Sequence, residues 1–332
     1  MRDSICQRWP AVLFAWIVAL CAREAAAQRG EVQGVHDPAI IKQGKVFYLF
    51  CTGPGIPIRT STDLFNWQRS GVVFGEQPTW RGEEFRGRSM WAPDISHFGG
   101  SYYLYYAVSQ FGRNRSIIAL ATNKTLDRDS PDYRWEDQGK VIETQTSDDW
   151  NAIDPNIVLD ENQMPWLVMG SYWTGIKMRR IDAQTGLLSN ADTKLYSLAS
   201  RPERPRAVEA PFMIRHDGMY YLFVSFDRCC AGANSTYKTM VGRSKAVTGP
   251  FVDRENHPMM EGTATLVLEG QGSVRGPGHC AVLSDGRQDW LVHHFYDADN
   301  NGRSALQIRP LTWDAENWPV AGEPITGPAP SP

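Results

Sequence analysis

Long apolar runs are scarce in this 332-residue chain. The single clear one, Ala11–Cys21, is about half of the roughly 20 residues that a helix needs to cross a bilayer. Blocks of like charge are absent too. No run of five or more basic residues appears and the net charge is only −3, which argues against nucleic acid or an anionic membrane as a partner. No C-x-x-C spacing suggests a structural zinc site. No stretch shows three turns of helical amphipathicity, so the fold must come from strands.

The N-terminus differs from the remainder. Arg2 and Arg8 precede the apolar run, and Ala25-Ala26-Ala27 follows it before Gln28. Basic start, short apolar middle and small-residue end describe a secretory signal peptide over residues 1–27, with residues 28–332 as one mature domain. Secretion or export to a periplasm is the expected location. The leader carries one more basic than acidic residue, so the mature chain is one charge more negative. It would retain Cys51, Cys229, Cys230 and Cys280. Four cysteines allow three pairings, and spacing does not choose among them or exclude free thiols.

What is present is a repeat. Aromatic and aliphatic runs recur around Leu49, Leu104, Leu167, Leu222 and Leu291, at intervals of 55 to 69 residues. Each run suits a half-buried strand. Ten to thirteen residues before each Leu stands a polar marker beside proline or glycine: Asp37-Pro38, Pro93-Asp94, Asp154-Pro155, Glu209-Ala210-Pro211 and Gly278-His279. Turn residues such as Gly99-Gly100 and Asp217-Gly218 lie between marker and run, and a third strand-like run follows each. Five units of about 60 residues with about four strands each predict an all-β, five-bladed propeller. A β-sandwich is the rival. The termini are expected to share one blade and so close the ring.

In a propeller, first strands line the central channel, so the markers should converge on one axis. Asp37, Asp94, Asp154 and Glu209 would bring four carboxylates together, at an electrostatic cost unless they titrate, pair or bind a cation. Solvent-facing turn caps would explain any one of them alone. In register they point to glycosidic bond hydrolysis, where one carboxylic acid protonates the leaving oxygen and one carboxylate activates water or attacks carbon. The apolar neighbours of Glu209 (Val208, Ala210, Pro211, Phe212) suit a raised pKa and an acid; Asp37, beside His36, suits a base. Aromatic residues make up 11% of the chain, with 12 Trp, enough to offer stacking faces for sugar as well as core. His293 and His294 fall on opposite faces of a strand, so at most one points inward, and both are read as structural.

The segments Val35-His36-Asp37-Pro38, Met90-Trp91-Ala92-Pro93-Asp94, Asn151-Ala152-Ile153-Asp154-Pro155-Asn156, Val208-Glu209-Ala210-Pro211-Phe212 and Gly276-Pro277-Gly278-His279 resemble those of glycoside hydrolase family 43. Ser171-Tyr172-Trp173 and Val108-Ser109-Gln110-Phe111-Gly112 are similar to its endo-α-1,5-L-arabinanases. The resemblance runs from about Val35 to Pro310. It implies an inverting mechanism with Asp37 as base, Glu209 as acid and Asp154 tuning that acid. It implies substrate contacts at Asp37, Gly112, Asn151, Ala152, Ile153, Asp154, Ser171, Tyr172 and Trp173, to which Trp91 and Asp94 are added as channel-side candidates. It also implies a calcium ion near the axis on His279, largely through water, and arabinan or pectic arabinan side chains as the substrate of a monomer. Two alternatives remain. One is an exo-acting α-L-arabinofuranosidase or β-xylosidase, for which loops at 146–150 and 227–237 would be candidate blocks. The other is a non-catalytic sugar-binding propeller, against which the unequal markers argue.

Overall fold

The computed structural model describes residues 28–82, 85 and 89–328. The signal-peptide reading, on residues 1–27, lies outside them. Nearly all regular structure is strand, arranged in five antiparallel sheets, each from one contiguous stretch of chain. From the axis outward the first four strands of each blade begin with Ala39–Gln43, Trp91–Phe98, Asn156–Leu159, Val208–His216 and Val274–Ser284. These inner strands pack against one another around the ring. The five-bladed propeller read from the repeat is the fold.

The register explains the repeat. The five leucines occupy one equivalent place on the second strand, opposite Ile40, Ile95, Ile157, Met213 and Val282 of the inner strand. All five are fully buried. Both faces of each second strand meet another blade, so the strands read as unbroken apolar runs. In Tyr102–Tyr106 the alternation of side chains sends Tyr102, Leu104 and Tyr106 toward the first blade and Tyr103 and Tyr105 toward the third. Five apolar clusters fill the five blade-to-blade interfaces.

The termini do not share a blade. The last sheet takes all four strands from Val274–Ala321, while Arg29–Gly30 adds in parallel to the outer strand of the first blade. Closure is made by an isolated bridge between Gln33 and Ala305, by the bonds Leu306 N→Val32 O (3.0 Å) and Gly34 N→Ser304 O (2.8 Å), and by apolar packing of Ile40 and Leu49 on Leu283 and Val292. The C-terminal chain already holds a full set of strands, so nothing is left for the N-terminus to complete.

Interface burial sets stability. Leu104→Ala should cost about 2–5 kcal/mol in chemical denaturation, by lost transfer energy plus a cavity. Leu266→Ala, at a site 47% exposed, should stay within about 0.5 kcal/mol. Equal effects would contradict the placement of the core between the blades.

Candidate active site

Each inner strand carries a residue with left-handed backbone, just before it at Asp37 (φ 51°) and Asp154 (54°) and at a break in its register at Ala92 (45°), Ala210 (52°) and His279 (47°). None is glycine. In the first four blades the next residue is Pro38, Pro93, Pro155 or Pro211. A following proline disfavours the right-handed helical region but favours extended backbone, so the left-handed kink is imposed by the surrounding structure. The five markers are therefore not one repeated position. Asp37, Asp154 and His279 sit at the kink, Glu209 one residue before it and Asp94 two after.

The kinked backbone needs partners, and blades supply them to each other. Ala92 N–H donates to Thr52 Oγ1 (2.8 Å), His279 N–H to Ser225 Oγ (2.9 Å) and Asp37 N–H to His294 Nδ1 (3.1 Å). Thr52, Ser225 and His294 each stand three residues after a repeat leucine. The same position in the second and third blades is Ala107 and Gly170, which have no side-chain acceptor. Here carboxylates take over. Asp154 Oδ2 accepts from Ala210 N–H (3.0 Å), and Asp94 accepts from Asn156 Nδ2 (3.0 Å) and Ile157 N–H (2.9 Å). Asn156 passes the link on by accepting from Met213 N–H (2.8 Å).

Asp37 is the hub of one side of the channel. Its Oδ1 lies 2.8 Å from His36 Nδ1 and 3.0 Å from His279 Nδ1, and its Oδ2 accepts from Thr52 Oγ1 at 2.5 Å. Burial would push this carboxyl up, but His36 and His279 outweigh it and hold the group well below the usual carboxylate range. Reciprocally, both imidazoles are drawn upward by Asp37 against the effect of their own burial. His294 stacks on His36 with ring centroids 3.9 Å apart. Burial and the neighbouring imidazoles keep it neutral, as an acceptor of the Asp37 N–H must be. His294 was read as structural; it is instead part of the Asp37 setting, while His293 turns away and faces His294 O through Nδ1 (3.0 Å).

Glu209 and Asp154 form the other side. Both are buried, and burial is the main force raising both above the ordinary carboxylate range. Glu209 also raises Asp154 across the pair, while the bonds from Ser171 and Tyr237 pull Glu209 back. Ser171 Oγ donates to Glu209 Oε2 (2.7 Å), and Tyr237 also bonds this carboxyl. A Cβ at Gly278 would overlap the Tyr237 ring, which explains one glycine of the Gly276-Pro277-Gly278-His279 segment.

The remaining expected residues divide. Tyr172 and Trp173, both half-buried, follow Ser171 in consecutive left-handed conformations (54° and 42°), an arrangement that costs about 1–3 kcal/mol per residue and marks a constrained site. Gly112 is exposed beside Phe111, whose ring is 77% exposed. Trp91 is half-buried at the start of its strand. Asn151 Oδ1 accepts from Ser116 Oγ (2.6 Å), Ala152 is wholly buried in the interface between the second and third blades, and Ile153 is also buried. Thr52, Tyr237, Ser225, Tyr296 and His294 were missed; three of them share the leucine-plus-three position, a signal present in the repeat.

Two carboxyl centres shifted in opposite directions, Asp37 below and Glu209 with Asp154 above the ordinary carboxylate range, face a common channel. That is the equipment for acid–base cleavage of a glycosidic bond. The comparisons agree. The extracellular exo-alpha-(1->5)-L-arabinofuranosidase of Cellvibrio japonicus is 41% identical over 93% of this chain and 92% of its own length. The extracellular endo-alpha-(1->5)-L-arabinanase 1 of Bacillus subtilis is 39% identical over 89% and 90%. The structure of the Cellvibrio cellulosa alpha-L-arabinanase complexed with arabinohexaose superposes with TM-score 0.84 at 40% identity, covering 88% of this chain and 96% of that one. Residues 32–319 match the profile of the glycosyl hydrolases family 43, and the chain belongs to that family: it is a glycoside hydrolase.

Proposed function

We propose that the protein is exported and hydrolyses internal α-1,5-L-arabinofuranosidic bonds of arabinan with inversion, and that it works as a monomer. The observation that carries the mechanism is the contrast between Asp37, held below the usual carboxylate range by His36 and His279, and the Glu209–Asp154 pair, raised above it by burial. Glu209 gives its proton to the glycosidic oxygen as the bond breaks. Asp37 takes a proton from the water that attacks the anomeric carbon. Asp154 keeps Glu209 protonated by like-charge repulsion and, through Ala210 N–H, fixes the backbone beside it. Tyr172, Trp173 and Phe111 offer rings on which furanose units can stack. Trp91 and Gly112 would complete that rim. Arabinan is favoured by the relatives, and export by their description as extracellular.

The exo-acting reading is favoured by two similar proteins, the Cellvibrio japonicus exo-alpha-(1->5)-L-arabinofuranosidase and the exo-1,5-alpha-L-arabinanase from a bovine ruminal metagenomic library, 40% identical to this chain. Linear arabinan should yield a ladder of oligosaccharides early in the reaction, with aryl arabinofuranosides and xylosides turned over poorly. Release of one small product from the start would establish the exo mode instead. The same time course by NMR should show the inverted anomer; retention would remove Asp37 from the role of base.

The residues also fit a hydrated calcium ion. His279 spends Nδ1 on Asp37, and its Nε2 has no protein partner among the described residues. Calcium prefers oxygen, so waters would fill most of its shell and binding would be modest. Such an ion would offset repulsion among Asp37, Asp94 and Asp154 and help keep Asp37 ionised. Chelator should lower hydrolysis while shifting the melting temperature little, and His279→Ala should remove that sensitivity. Indifference of the wild type to chelator would sink the assignment.

Glu209→Gln should reduce turnover of arabinan by roughly 10²–10⁴-fold while sparing a substrate with a good leaving group. The acid must be protonated, so kcat/KM should fall as pH rises through the pair's raised titration. Asp154→Asn removes the neighbouring anion, lowers the Glu209 pKa and should move that alkaline limb to lower pH. An unmoved limb would separate Asp154 from the acid.

A further inference from the structure

Cys229 and Cys230 take no part in the mechanism above, yet they stand between its two halves. They lie on the loop Asp227–Tyr237, which is pinned at its base. Asp227 pairs with Arg201 (2.6 Å) and Lys238 (3.0 Å), and the Arg228 carbonyl accepts from Thr236 and Tyr237 N–H. Ala231 N–H donates to Ser235 Oγ (3.0 Å). The two thiols are in contact with each other, Cys230 exposed and Cys229 half-buried. Cys230 Sγ lies 3.9 Å from His36 Nε2, and Cys230 N–H donates to Tyr296 OH (2.8 Å), which also meets His36 Nε2 at 2.8 Å. Cys229 touches the Glu209 carboxyl. One thiol therefore reports to the Asp37–His36 side and the other to the acid.

We propose that Cys229 and Cys230 form a redox-active dithiol at the mouth of the site, which low-molecular-weight disulfides oxidise to a vicinal disulfide that suppresses hydrolysis. Cys230 is the attacking thiol, being the exposed one, with the Cys229 thiol and the His36 imidazole lowering its pKa. Its thiolate attacks one sulfur of the disulfide RSSR, forming a mixed disulfide and releasing RS⁻. Cys229 then gives up its proton, its sulfur attacks Cys230 Sγ, and a second RS⁻ leaves. Two protein thiols are oxidised to one disulfide, and RSSR is reduced to two RSH.

Closure draws the sulfurs to about 2.05 Å, whereas adjacent Cα atoms stay about 3.8 Å apart, shorter than the usual disulfide span of about 4.4–6.8 Å. The ring is strained and hence easily reduced again. It pulls Cys230 from His36, shifts the N–H that holds Tyr296, and moves Cys229 off Glu209. Cys51 and Cys280, both buried, are internal controls.

The test treats the protein with glutathione disulfide, alkylates the remaining thiols and maps peptides by mass. The Cys229–Cys230 peptide should lose two hydrogens while Cys51 and Cys280 stay reduced. Hydrolysis should fall roughly tenfold or more, since displacing a positioned group by about 1 Å can cost up to ~10²-fold, and dithiothreitol should restore it. Cys230→Ser should stay active and ignore the oxidant; Cys229→Ser should stop at a mixed disulfide on Cys230. A pair that stays reduced, or a disulfide that forms without loss of hydrolysis, overturns the proposal. So do single variants that melt like wild type but are inactive untreated, since the thiols would then serve catalysis itself.

Discussion

Five strands that converge on one axis bring kinked, buried backbone together, and each of its N–H groups needs an acceptor where water is scarce. Side chains of neighbouring blades meet this need at four of the five junctions of the ring through Thr52, Asp154, Ser225 and His294, and Asp94 with Asn156 serve the fifth. The chemistry grows out of this arrangement. Where the leucine-plus-three position offers a hydroxyl or an imidazole, the ring closes with neutral groups. Where it is Ala107 or Gly170, a carboxylate fills in. Asp154 is thus a structural acceptor and an electrostatic neighbour of Glu209 at once.

Burial alone would protonate every carboxyl on the axis. What separates them is company. Asp37 has two imidazoles and a threonine hydroxyl; Asp154 and Glu209 have each other. The same desolvation that raises the acid strengthens the field of His36 and His279 on the base. Asp94 falls between these cases, pushed up to about 6 by burial against its bonds to Asn156 and Ile157. Its oxygens are committed to joining blades, which separates it from Asp37, Asp154 and Glu209, whose place in the repeat its own resembles.

Much of this was legible in the sequence because the repeat is periodic in buried residues. Leu49 to Leu291 fix blade number, register and the end of the ring where the markers gather. The kink at Asp37, Ala92, Asp154 and Ala210 was not legible, since a following proline favours extended backbone and only the surrounding blades impose the left-handed conformation. Legibility failed where a side chain's role depends on a neighbouring blade. Alternation correctly sent His293 and His294 to opposite faces, but only the stacked His36 reveals what His294 serves. Ala152 lies in a motif that resembles a substrate-binding segment, yet it is packed in an interface, because a motif preserves supports as well as contacts. The expected strand exchange between the termini failed because strand count, not sequence similarity, decides whether a blade is complete.

That last point has a bearing on how the enzyme wears out. The chain joins each blade to the next except the fifth to the first, where closure rests on packing and a few bonds. Asp37 sits on one side of this joint and His279 and His294 on the other. The proposed catalytic base is therefore also the clasp of the ring. Any gape at the joint would part Asp37 from His279 and His294 and leave it only His36 and Thr52, so hydrolysis that depends on a charged Asp37 would weaken before any blade unravels.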